Sequence, residues 1–357
     1  MKYDLKDLVP IKYPIVQAPM LGVTTPGMVA AVSNAGGLGS LPLGGLAPDK
    51  ARMLIRQTRQ ATNRPFAVNL FAHPLASSAV DTDQIKKMED LLHSIYSTYG
   101  LNFERKRLED YQFYNHTHLL ELLLEEQVSI VSFTFGLLEA ESTQILKEKG
   151  VTLIGTATSV KEALLLEKSG VDALVAQGFE AGGHRGTFLE SEPLPQVGLI
   201  SLLPQIVDQV SIPVIAAGGL FDHRSVKAVF ALGAAAAQLG TYFIAADESA
   251  ASQGYKDMLL KSNETSTQLT RAFTGRWARG IKNSLMEQLE QSGLAFPAYT
   301  YKNSLTSGLR EFGKTNNLPE LLSLWAGQSA AKTSQGSTSQ LFKDLINKIQ
   351  NDTNPIF

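Results

Sequence analysis

Residues 151–178, "VTLIGTATSVKEALLLEKSGVDALVAQG", decide the fold. Two short apolar runs, "VTLIGTAT" and "VDALVAQG", flank the amphipathic segment "SVKEALLLEKSG". The runs are continuous rather than alternating, which marks strands buried on both faces, as in a parallel sheet. Strand, helix-period segment and strand in this order make a βαβ unit.

The same rhythm recurs outward in both directions. "PIVQAPM" runs into "TTPGMVAAVSNAGG", and "LGSLPLG" into "APDKARMLIRQTRQATN". "PFAVNLF" and "VSIVSFTFG" follow, and after residue 178 come "IPVIAAGG", "DHRSVKAVFALG" and "AAAAQLGTYF". Eight strands are expected, starting near Ile15, Leu38, Phe66, Ser129, Val151, Ala173, Pro213 and Ala235. Eight such strands with intervening helices fit an α/β fold of the (β/α)8 TIM-barrel type. An open doubly wound sheet would carry GxGxxG after its first strand. Here "LGVTTPG" stands in that place, and "NAGGLGS" (Asn34–Ser40) follows a helix, where it reads as a helix stop.

Two stretches exceed a minimal barrel. A polar, aromatic insert at about residues 73–115 separates the third strand from its helix, and a tail follows the eighth unit. The expected division is a barrel over 1–269 and a cap or smaller domain over 270–357, with insert and tail meeting beside the barrel mouth. Within the tail, "KTSQGSTSQL" reads as a flexible link.

Composition narrows the function. Hydrophobic residues make up 44% and charged residues 18%, enough for a large core. The net charge of -2 suggests no nucleic-acid partner. The absence of cysteine removes thiolate ligands and cysteine nucleophiles. No signal-type or membrane-spanning apolar run stands out, so no membrane is expected and cytoplasm is the default.

In a (β/α)8 barrel the site lies at the C-terminal strand ends. Those ends read "QAPMLG", Asn69, "TFG", "TATS", "QGFEAGGHRG", "AAGGL" and "QLGT", rich in glycine, amides and hydroxyls and nearly free of charge. Glycines let backbone N–H groups approach a ligand, and amides hydrogen-bond without burying charge. Gly218-Gly219 and Gly240-Thr241 lie where barrels commonly hold phosphate, each expected to lead into a helix N-terminus. Asn69 and Gln177 suit a ring of alternating donors and acceptors such as a flavin.

Of six histidines, His73, His93, His116 and His118 lie in or beside the insert, and His223 reads as a helix first-turn residue. His184 alone sits in a glycine-rich loop at a strand end, where an imidazole suits proton transfer near neutral pH. Glu180 is expected to fix that loop through backbone N–H groups, and Arg185 to pair with an acid. No GxSxG, P-loop or HExxH occurs, and no metal site is expected.

"QAPMLGVTTPGMVAAVSNAGGLGS", "FAVNLF", "GTATSVKEA", "QGFEAGGHRGTF", "PVIAAGGL", "QLGTYF" and "LWAGQ" together resemble the nitronate monooxygenases, in their bacterial class I group. The resemblance implies a TIM barrel with a second domain, non-covalent FMN, and oxidation of alkyl nitronates, such as propionate 3-nitronate, by O2 to carbonyl compounds and nitrite. It places Ala18, Pro19 and Met20 along the flavin ring. It adds Asn69, Gln177, Gly182, Gly219, Gln238, Leu239, Gly240 and Thr241 as FMN contacts, and Gly183 and Gly218 are expected beside the cofactor from their places in the strand-end loops. His184 becomes the active-site histidine, and Tyr299, Tyr301 and Lys302 become substrate-side residues. A protonated His184 would attract a nitronate, and a neutral one would act as base. The alternatives are a flavin-dependent enoyl-ACP reductase, for which a connection shorter than this insert is expected, an NAD(P)H:quinone reductase, or a non-catalytic flavin-binding module.

Overall fold

A computed structural model describes residues 4–73, 81–189 and 194–352. The eight expected strands all form, each starting within one residue of its expected place. They are Ile15–Gln17, Gly39–Pro42, Phe66–Phe71, Ile130–Thr134, Thr152–Ala157, Ala173–Gln177, Val214–Ala217 and Ala236–Leu239. All pair in parallel, and the first also pairs with the eighth. The seam between first and second closes through a Val16–Leu38 bridge, where Gln17 N–H donates to Leu38 O at 2.9 Å. The result is a (β/α)8 barrel.

The apolar runs are continuous because both strand faces are covered. Along the sixth strand Val175 joins the inner core with Val16, Ile154 and Ile215, while Leu174 joins the outer core under the helices. Leu5, Val9 and Ile11, from the N-terminal segment, belong to the same inner cluster. Burying a Val or Leu side chain contributes about 1.5–3 kcal/mol, so both layers hold the closed barrel.

The insert does form structure of its own. Its helix Thr82–Thr98 turns Ile85, Met88, Leu92, Ile95 and Tyr96 against Phe273, Met286, Leu289, Leu305 and Leu309 of the tail. Insert and tail thus share one hydrophobic core. Among the described residues no helix is long and apolar enough to cross a membrane.

The stretch expected as a flexible link does something else. Ser337 caps a helix, Thr338–Asn351, whose Leu341, Phe342, Leu345 and Ile346 are buried in the outer core of the barrel. Thr338 donates twice to Glu248 Oε2, at 2.7 and 2.6 Å. Directly after the eighth strand comes a 3-10 turn, Thr241–Phe243, and the next helix, Gln253–Leu260, packs on the 3-10 turns Pro319–Leu321 and Ala330–Lys332 of the tail. The C-terminal helix therefore packs against Pro26–Asn34 and His223–Ala231, in the place of the barrel's eighth helix. The polar composition of "KTSQGSTSQL" hid this, because its hydroxyls serve a cap and a half-buried glutamate rather than water.

Phe342 anchors this helix. A Cβ at Gly37 would lie 2.5 Å from its ring, so Gly37 must remain bare for the contact. Phe342→Ala should lower stability by about 3–5 kcal/mol, read as a shifted urea midpoint.

Candidate active site

The strand ends enclose a cavity of about 530 Å³, within the range of cofactor and ligand sites. The loop after the sixth strand forms its wall, and it is not floppy. Gly183–His184 pairs as a short strand with Ala278–Ile281, which pairs with Thr267–Thr270. Arg185 N–H donates to Trp277 O at 2.8 Å. Both Glu180 carboxylate oxygens accept from Leu199 N–H at 2.9 Å, the backbone-fixing part expected of it.

Arg185 is buried, and no described carboxylate forms an ion pair with it. Its guanidinium donates instead to Gly178 O at 2.6 Å, Gln177 O at 3.1 Å and Gln177 Oε1 at 3.1 Å. Gln177 Oε1 also accepts from Gly186 N–H, and Gln177 Nε2 donates to His184 O at 3.0 Å. The Gln177 amide oxygen is thereby committed to the loop, leaving one N–H for a ligand. Asn69 has the opposite polarity. Its Nδ2 donates to Ser132 Oγ at 2.9 Å, so Oδ1 is left as an acceptor.

The glycines separate into two kinds. Gly218 and Gly219 lie at φ +121° and +69°, backbone that a side chain would strain. Gly240 is ordinary in φ, and a Cβ there would meet Ala18 and Met20 at 3.4 and 3.6 Å. Gly219, Gly240 and Thr241 N–H groups donate to no described residue. Gly182 is different. A Cβ there would lie 2.4 Å from Gly327 N, so its bareness serves the "LWAGQ" segment.

The helix N-termini expected as anion sites are not available. The helix after Gly219 starts at His223, and the Asp222 carboxylate already caps it. The one after Gly240 is a single 3-10 turn. An anion here would meet loop N–H groups rather than a helix dipole.

Ala18, Pro19, Met20, Asn69, Gln177, Gly182, Gly183, His184, Gly218, Gly219, Gln238, Gly240, Thr241 and Tyr299 all line the cavity. Leu239, Tyr301 and Lys302 do not. Leu239 is buried in the outer core, and its carbonyl accepts from Ala18 N–H. Tyr301 stacks edge-on with Tyr111 and Phe113 of the insert. The Lys302 ammonium is buried against Met88 and over Phe296, and burial pushes it down to about 7.

His184 Nε2 lies 2.8 Å from Thr274 Oγ1, and its ring meets Phe135, Tyr299 and Trp325 at 5.5–6.0 Å between centroids. Phe135 is held at φ +76°, which costs about 1–3 kcal/mol, to place its ring between His184 and Phe71. Burial, then Arg276 and Arg310, push His184 down to about 3. It is therefore neutral at pH 7. Thr274 Oγ1 also donates to Arg276 O at 3.2 Å. With the hydroxyl proton placed there, His184 Nε2–H is the donor and Nδ1 is left as a bare lone pair.

Sequence reading missed Phe135, Thr274, Arg310 and Trp325 at this cavity, and His73 and Arg276 behind it. "TFG" was in view at a strand end, but nothing marked Phe135 as left-handed. His73 packs on Phe71, Phe135 and Tyr299, with neither ring nitrogen hydrogen-bonded among the described residues. Burial, then Arg276 and His116, push it down to about 4. Both histidines bind a proton in the unfolded chain near pH 6.5 but not in the fold. Stability is therefore full above pH 6.5 and falls as pH drops toward 4 and 3. Each contributes a loss of about 2 kcal/mol by pH 5. His73→Phe should retain more of its neutral-pH melting temperature at pH 5 than the wild type does.

Comparisons with known proteins extend over nearly the whole chain. The nitronate monooxygenase family model matches residues 2–348. A probable nitronate monooxygenase of Staphylococcus aureus strain JH9 is 42% identical over 98% of this chain and 97% of its own length. The crystal structure of a nitroalkane oxidase from Streptomyces ansochromogenes superposes with a TM-score of 0.88, at 37% identity over 97% of each chain. FabK from Thermotoga maritima gives a TM-score of 0.75 at 29% identity, over 97% of this chain and 95% of that one. A parallel barrel with this loop at its mouth and these relatives over nearly its whole length belongs to the nitronate monooxygenase family of oxidoreductases.

Proposed function

We propose that the protein is an FMN-dependent nitronate monooxygenase of the cytoplasm that oxidises alkyl nitronates, such as propionate 3-nitronate, with O2 to carbonyl compounds and nitrite. The observation that carries the reading is His184: a neutral imidazole with a free Nδ1, facing a cavity lined by amides and bare backbone.

The residues present fit FMN. Asn69 Oδ1 offers an acceptor and Gln177 Nε2 a donor, the pattern a flavin ring edge needs. Gly219, Gly240 and Thr241 offer backbone N–H groups to a phosphate, in a cradle that a side chain at Gly240 would fill. Ala18, Pro19 and Met20 provide an apolar wall for the ring. Bound FMN would supply one-electron chemistry toward a nitronate and dioxygen.

The chain's own part is to bind, orient and move a proton. Phe71, Phe135, Tyr299 and Trp325 give the substrate side aromatic walls. His184 Nδ1 accepts the α-proton when the substrate arrives as a neutral nitroalkane; a preformed nitronate needs no base. The likeness to FabK keeps a reductase as the second reading, which calls for flavin reduction by NADH or NADPH.

His184→Asn should keep FMN bound and cut turnover of neutral nitroalkanes about 10²–10⁴-fold, with a smaller loss on preformed nitronates. Because His184 stays neutral down to about 3, wild-type kcat on nitronate should show no His184 limb between pH 5 and 8. Equal loss on both substrates would remove the base role.

Gly240→Val should release FMN, read as loss of yellow colour with the fold retained by circular dichroism. It is a cleaner probe than Gly219→Val, where positive φ adds strain of its own. Anaerobic mixing should bleach the flavin with propionate 3-nitronate and not with NADH or NADPH; the reverse would favour the reductase.

A further inference from the structure

Most arginines at the molecule's surface have a carboxylate. Arg52, Arg56 and Arg59 converge on Glu126, Arg105 meets Asp90, Arg107 meets Glu109 and Asp110, and Arg224 meets Asp222. The four guanidiniums around the cavity do not. Arg185, Arg276, Arg279 and Arg310 form no ion pair with any described carboxylate. Three of them direct guanidinium donors to backbone carbonyls of the fold, although Nε of Arg185 and of Arg276 is buried without a partner, as it is at Arg310. Arg185 serves the sixth-strand loop. Arg279 donates to Phe179 O and lies over the Phe179 ring, and Arg276 donates to Thr187 O over Phe135.

Arg310 is the exception. Of the four, it alone lines the cavity. Its Nη2 is anchored to Asn303 O at 2.7 Å and Asn303 Oδ1 at 2.9 Å, which fixes the guanidinium plane. Its Nη1 makes no hydrogen bond to any described residue, and its Nε is buried without a partner. Burying a charge without a counter-ion is unfavourable unless something else compensates it. Burial pushes Arg310 down to about 10, so it still carries its charge at pH 7. His184, which the sequence offers for an anion, is neutral there; Lys314 also lines the cavity, together with Glu311.

We propose that Arg310 is the anion-recognising residue of the cavity, a specificity-determining guanidinium whose free Nη1 holds an oxygen of a planar oxyanion, so that the site prefers an ionised nitronate to the neutral nitroalkane. The inference deepens the proposed function, with electrostatic recognition and proton transfer assigned to two residues. Arg310 attracts the anion, and His184 stays uncharged through its burial first, then through Arg276 and Arg310. A guanidinium presents planar donors to planar acceptor oxygens, which an ammonium does not.

The test uses the FMN-loaded protein and nitrate, an inert planar oxyanion, followed by tryptophan fluorescence; Trp325 lines the cavity. Arg310→Gln should weaken nitrate binding about 10–100-fold, the range expected for one charge-assisted hydrogen bond. Arg310→Lys should lose less, and it carries the test if the glutamine variant does not fold. In turnover, KM for ethylnitronate should rise by a similar factor with kcat nearly kept, while KM for neutral nitroethane stays put. Unchanged nitrate affinity in either folded variant, or equal KM losses on both substrates, would overturn the proposal. Arg310-dependent nitrate binding without nitronate oxidation by the wild type would uphold the anion site and overturn the proposed reaction.

Discussion

The structure depends on one backbone contact, Gly182 against Ala326-Gly327. No Cβ fits between them. Through that contact the late "LWAGQ" segment reaches three strand-end loops at once. Gln328 N–H donates to Glu180 O at 3.0 Å, Gly327 N–H to Thr241 Oγ1 at 3.0 Å, and Ser329 Oγ to Gly219 O at 2.9 Å. Loops after the sixth, seventh and eighth strands are thereby held in one frame. The same segment sets Trp325 on His184, and Gly280 bridges to Trp325 from the small sheet. Preorganisation of this sort is what a site needs if its donors are to meet a ligand without paying for loop ordering.

Charge is distributed around the cavity in a consistent way. Glu162 and Glu180, the acids nearest the loop, are both spent on backbone and hydroxyl groups: Glu162 on Thr158, Thr187, Phe188 and Leu189, and Glu180 on Leu199. No described carboxylate forms an ion pair with Arg276 or Arg310, although Glu311 and Lys314 also line the cavity. A histidine that is desolvated and has unpaired guanidiniums near it is held neutral. The neutrality of His184 follows first from its burial and then from Arg276 and Arg310.

Much of this was legible in the chain. Continuous apolar runs located the eight strands, because only strands covered on both faces can afford them. Amides and glycines at strand ends located the cavity, because uncharged donors near bare backbone suit little else. What misled was polarity taken as exposure. "KTSQGSTSQL" is polar yet leads into a buried helix, since Ser337 and Thr338 satisfy a cap and Glu248. Tyr301 and Lys302 carry functional side chains yet face the insert, since helix Tyr301–Leu305 turns them toward Tyr111 and Met88 while Tyr299, just before it, meets the cavity.

The sequence by itself determined the barrel, the loop that bears His184 and the uncharged character of the strand ends, because these follow from local periodicity and residue type. Only the tertiary structure decided the protonation of His184, the partners of Arg185, the part of Gly182 and the presence of Arg310 at the cavity. Each depends on distance between segments far apart in the chain. Burial and Coulomb interaction act through space, and a linear pattern carries no record of them.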